Sequence, residues 1–130
     1  MKRTHDNTLA RALRRRVEAT VMCVVRGLPP DLRRLAENVP VCCEWKIAPH
    51  WLADGVAADS LGLFSGPALN EPVDPDCLES PCITFFLAEL WDYVGADETV
   101  FDDEVRTTYL HEFGHYLGLD ENDLDARGLL

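Results

Sequence analysis

His111, Glu112 and His115 are the side chains of this chain whose types and spacing could do chemistry together. Two histidines four apart on a helix stand one turn above each other, with Cβ atoms about 5 to 6 Å apart, so both imidazoles can close on one divalent cation. Glu112 then lies beside that ion, where a carboxylate can take a proton from a metal-bound water. The run HEFGHYLGLDE continues through Gly118 to Asp120 and Glu121. A glycine there permits a sharp turn that returns a third ligand to the metal. The position ten residues after His111 is Glu121, which is the expected ligand; the neighbouring Asp120 is the alternative, and either acid could instead cap a short last helix.

At 100° per residue, Glu104, Thr108, His111 and His115 fall within about 60° of one another. Val105, Tyr109, Leu110, Phe113, Tyr116 and Leu117 occupy the opposite side. The histidines are therefore expected to face away from the core. Tyr116 could in principle reach a developing oxyanion, but its angular position places it with the packing residues. Gly114 and Gly118 fall near the histidine side, where each costs about 1 kcal/mol against alanine in a helix interior; they suggest close approach by another segment or a substrate.

These residues need a frame. Leu9, Leu13, Val17, Val21 and Val24 recur at helical spacing among arginines and predict a first helix over 8–26, ended by Gly27. Pro29-Pro30-Asp31 opens a second short helix through Ala36, and 39–47 alternates as a strand. Residues 48–81, rich in Pro, Gly, Asp and Ser, predict a long loop with one apolar island at 61–64. The β-branched and aromatic run 82–87 (CITFFL) predicts a strand at the edge of a small sheet, able to bind an extended peptide by strand addition. A helix over 89–94 follows, broken at Gly95-Ala96-Asp97. The motif helix is expected over about 102–118, with Thr99, Asp102 and Asp103 as caps and N-terminal acids.

A chain of 130 residues predicts one domain with one core, over 1–130. Residues 1–50 hold 10 Lys/Arg against 5 Asp/Glu, and 51–130 hold 2 against 18. The motif half thus carries a field that keeps the protein soluble, repels nucleic-acid phosphates and attracts metal ions and cationic peptides. No apolar run approaches a membrane span, and 21–25 is too short for the core of a secretory leader. Five cysteines without paired C-x-x-C spacing read as reduced thiols, which gives a cytoplasmic expectation. Cys42 and Cys43 in a strand would point to opposite faces, and Cys77 and Cys82 read as small apolar side chains that could otherwise pair or reach the metal.

LPPDLRRLAENVPV at 28–41, LGLFSG at 61–66, CITFFL at 82–87 and EVRTTYLHEFGHYLGLDENDL at 104–124 follow, in order and spacing, the short zincin-like metallopeptidases of bacteria. The chain resembles that family over roughly 8–128. The resemblance implies an α+β minimal zincin fold, with a small mixed sheet packed on a long N-terminal helix and the active-site helix. It also implies one zinc ion held by His111, His115 and an acid, with Glu112 as the catalytic base. The family more often has aspartate where Glu121 stands. The two methionines, Met1 and Met22, exclude a methionine turn beneath the metal, and nine residues follow Glu121. These features point to a peptidase acting on small or unfolded peptides. The alternatives are a metal-dependent hydrolase of another bond, such as small ribonucleases with three histidines and basic surfaces, or a non-catalytic metal- or peptide-binding module. Glu112 and the acidic half favour the peptidase.

Overall fold

The computed structural model describes the backbone of residues 2–72, 75–76 and 79–127, and within these the side chains of all but residues 2–7 and Glu121. Helix α1 runs over Lys2–Arg26 and buries Leu13, Val17 and Val21, a stripe at four-residue intervals. Its last turns are closed by Arg33, whose Nη2 donates to the carbonyls of Arg26 and Leu28 at 3.3 and 3.2 Å. Helix α2 (Pro30–Glu37) begins at a proline, whose missing N–H has no partner to lose in a first turn.

Strand β1 spans Val41–Glu44, shorter than the expected 39–47, although Pro40 and Trp45 still accept from Ile83 and Ala88 across the ladder. The long loop expected over 48–81 is not structureless. It contains a helix α3 (Pro49–Ala53), pinned where Trp51 meets Phe86 edge-on at 5.6 Å, and a strand β2 (Gly62–Ser65) formed by the apolar island.

Strand β3 (Cys82–Phe86) corrects an expectation: it is central, not an edge. The sheet is mixed, in the order β1-β3-β2, with β1 parallel and β2 antiparallel to β3. Ile83, Thr84, Phe85 and Phe86 are all buried, so both faces of this strand are covered. A continuous apolar run, as opposed to an alternating one, is the mark of such a strand.

Helix α4 (Leu87–Tyr93) follows β3 directly, and the chain reverses through Gly95 and Ala96, both with left-handed φ. Helix α5 covers Glu98–Leu117 and so starts four residues before the expected 102. Asp97, outside both helices as the break at Gly95-Ala96-Asp97 requires, is also its cap: Oδ1 accepts from the N–H groups of Thr99 and Val100 at 3.0 and 3.1 Å. Asp102 is thereby free for another task. Arg16 of α1 grips it with two hydrogen bonds, Nε to Oδ1 at 3.0 Å and Nη2 to Oδ2 at 2.8 Å, and also reaches Glu98. A final helix α6 (Glu121–Ala126) packs back on α5.

Gly114 makes that last contact possible, since a Cβ there would lie 2.6 Å from Cδ1 of Leu124, itself 1% exposed. The segment that approaches this glycine is α6. Replacing Gly114 with alanine gains helix propensity of about 1 kcal/mol but overpacks the site by about 1–3 kcal/mol, and the net outcome expected is a lower melting temperature of the metal-free protein.

The thiols are distributed unevenly. Cys42 is exposed and Cys43 packs against the core, so they do face opposite ways; the Sγ of Cys82 lies 3.2 Å from Cys42 Sγ. Cys77 is outside the described residues. Burial pushes the Cys43 thiol up to about 11, and burial together with the bond to Cys42 does the same for Cys82. At pH 8 iodoacetamide should therefore label the exposed Cys23 while Cys43 and Cys82 remain thiols, as peptide mass spectrometry would read.

Candidate active site

The C-terminal half of α5 carries the three motif residues, and the structure brings them together. Phe101, Val105, Tyr109, Phe113 and Tyr116 are buried on one side, which leaves His111 half-buried and His115 exposed on the other. The predicted division of the helix is the observed one for every apolar residue named from the wheel. Tyr116 is a packing residue: its ring lies 5.8 Å from Phe64 and 6.1 Å from Phe113.

The Nε2 atoms of His111 and His115 stand 3.1 Å apart, with ring centroids 4.7 Å apart and planes at 80°. Two nitrogens bound to one tetrahedral zinc at ordinary bond lengths are about 3.3 Å apart, so the pair fits a single ion. One potential ligand atom from each of His111, Glu112 and His115 lies within 4.8 Å of the others. The donor set is two imidazoles and a carboxylate, which suits zinc and other borderline divalent cations.

Glu112 is held from outside its own helix. Its Oε1 accepts the backbone N–H of Phe64 in β2 at 3.0 Å, which fixes the carboxylate between the edge of the sheet and the histidines. Burial raises its proton affinity above that of an ordinary glutamate, opposed by His115, by the Phe64 N–H and by His111. A carboxylate so placed can take up a proton from a neighbouring water and return it. Sequence reasoning did not find the strand contact; the alternation in LGLFSG was the available signal for β2.

Gly118 ends α5 in the left-handed region at φ 74°, where a side chain would be strained. The N–H of Leu119 returns to the Gly114 carbonyl at 2.8 Å, closing the turn that the motif glycine was expected to make. Asp120 then caps α6 through a reciprocal box with Asp123, at 2.8 and 3.1 Å. Its Oδ1 is engaged in that role, and the carboxylate is not among the clustered ligand atoms. Glu121 is the first residue of α6, and its side chain lies outside the described residues.

A cavity of about 520 Å³ opens beside the site, with residues 60–62 on one wall and Glu104, Thr107, Thr108, His111 and Glu112 on the other. Gly62 sits where the walls meet: a Cβ there would lie 2.7 Å from Cγ2 of Thr108. Among the described residues no helix is long and apolar enough to cross a membrane.

No curated protein matches the chain. A family model described as zincin-like metallopeptidase matches residues 36–129, beginning within α2 and taking in the sheet, the motif helix and α6. The long helix α1, which the resemblance over 8–128 included, precedes the matched region. With the match covering most of the chain, and the paired imidazoles and anchored carboxylate falling inside it, this protein belongs to the zincin-like metallopeptidase family.

Proposed function

We propose that the protein is a zinc-dependent peptidase that hydrolyses amide bonds of small or unfolded peptides. His111, His115 and Glu121 would hold one zinc ion, and Glu112 would act as the general base. The observation that carries this reading is the 3.1 Å approach of the two Nε2 atoms beside a carboxylate fixed by the Phe64 N–H. Zinc in such a site supplies an acidified water and a polarised scissile carbonyl.

The chain's own residues do the rest. Glu112 accepts the proton of the attacking water and passes it to the leaving amine. Its Phe64 contact keeps one oxygen engaged, so the carboxylate stays oriented through both transfers. The expected edge strand is β2 in place of β3. β2 pairs with β3 on one side only, and with the Phe64 N–H held by Glu112 its outer side leaves the Gly62 N–H and carbonyl and the Phe64 carbonyl for an extended peptide. Gly62 and Phe64 have those outward groups, since the Leu61 carbonyl already accepts from Phe86 in the ladder. A peptide added there would run beside the Glu112 carboxylate that the same strand edge holds.

Changing Glu112 to Gln should leave zinc content intact and lower turnover about 10²- to 10⁴-fold, measured by metal analysis and peptide cleavage on the same sample. Full turnover by that variant would end the base assignment. Glu121→Ala should weaken zinc binding at least about 100-fold, whereas Asp120→Ala should lower helix stability by about 1 kcal/mol and leave affinity nearly unchanged. Competition titration with a chelator and thermal melting separate the two acids; the reverse pattern would move the third ligand to Asp120.

A further inference from the structure

The cavity that opens on His111 and Glu112 extends toward the N-terminal end of α5, and its charged wall residue away from the motif is Glu104. Glu104 lies seven residues before His111, two turns and about 10 Å along the same side of the helix. The fold does not use its charge. It is beyond the first turn, where an acid would gain from the helix dipole, and the residues three and four away on either side are Phe101, Val100, Thr107 and Thr108, with no cation among them. Among the described residues the ion pairs are those of Arg16 with Glu98 and Asp102. Partial burial raises the proton affinity of the Glu104 carboxylate, opposed by the neighbouring Thr108 hydroxyl.

The surroundings have one sign. Across Leu61 a second cavity of about 310 Å³ is lined by Asp59, Glu89 and Asp92, and neither cavity has a lysine or arginine among the described residues of its wall. An unpaired carboxylate set into the wall of a cleft next to a hydrolytic centre is a receptor for a cation delivered by the substrate. We propose that Glu104 is a specificity residue and that the substrate peptide carries lysine or arginine at the first or second residue from the scissile bond. The cationic head would meet the Glu104 carboxylate, and the aliphatic stem would cross Leu61. The position follows from reach: an extended peptide advances about 3.3 Å per residue, and a long basic side chain spans the remainder of the 10 Å or so between His111 and Glu104. This inference rests on the reading of the site as a peptidase centre.

The test uses the zinc-loaded full chain and a set of fluorogenic peptides that differ by Lys, Gln or Glu at each of the two positions on either side of the cleaved bond. At one position the wild type should favour Lys over Gln by about tenfold in kcat/KM, the scale of one charge-assisted contact. Glu104→Gln should bring that ratio close to one, and Glu104→Lys should turn it in favour of Glu. Cleavage without a basic preference, or a preference that survives Glu104→Gln, overturns the proposal. Binding gives an independent readout: fluorescence anisotropy with the same peptides on zinc-loaded Glu112→Gln protein should show the Lys peptide bound about tenfold more weakly once Glu104→Gln is added. If no peptide is cleaved but Glu104-dependent binding is found, the peptidase reading fails and the recognition stands. If neither is found, both fall.

Discussion

Helix α5 has to be dry along one side and polar along the other within 20 residues, and the rest of the molecule is arranged to satisfy that division. Phe101, Val105, Tyr109, Phe113 and Tyr116 are buried by α1, α4 and the sheet, and full burial of each such side chain stabilises the fold by about 1.5–3 kcal/mol. Rotating the helix by one residue would expose part of this stripe and push a histidine into the core. The orientation of His111 and His115 is therefore set by aromatic packing on the other side of the helix. Arg16, clamped to Asp102 at 2.8 Å, holds the start of the same helix against α1.

The two ends of the site are fastened differently. Toward the sheet, Glu112 is tied to β2 by one hydrogen bond across 48 positions of sequence. Toward the C-terminus, Gly114 lets Leu124 seat in the helix groove, and the left-handed Gly118 turns the chain so that α6 packs back on α5. The segment with the two candidate third ligands thus owes its place to a packing contact three residues beyond the motif's last acid and to a capping box.

What could be read from the chain alone is what depends on local periodicity. The buried side of α5, the grouping of Glu104, Thr108, His111 and His115, the stripe on α1 and the turn at Gly118 all follow from spacing along one element. The features that escaped depend on partners far away in sequence. β2 and α3 have four and five residues, so that the brief alternation in LGLFSG was a weak signal and α3 had none, and both exist because β3 and Phe86 are there to receive them. The central position of β3 required knowing that 62–65 would pair with it. The true start of α5 was hidden because Asp97 closes the Gly95-Ala96-Asp97 run and resembles the end of a turn, although its carboxylate caps the helix.

The contact between Phe64 and Glu112 has a bearing on how the molecule keeps to itself. An open sheet edge is a template on which a second copy can align and begin to aggregate. β2 is four residues long, and one of its outward donors is already occupied by the Glu112 carboxylate. What remains outward, the Gly62 groups and the Phe64 carbonyl beside a half-buried acid, has room for a short extended peptide and little for the long strand-to-strand pairing that aggregation needs. The carboxylate proposed as the base is thus also a guard on the sheet's open side, so that colloidal stability and the proposed chemistry would draw on the same group.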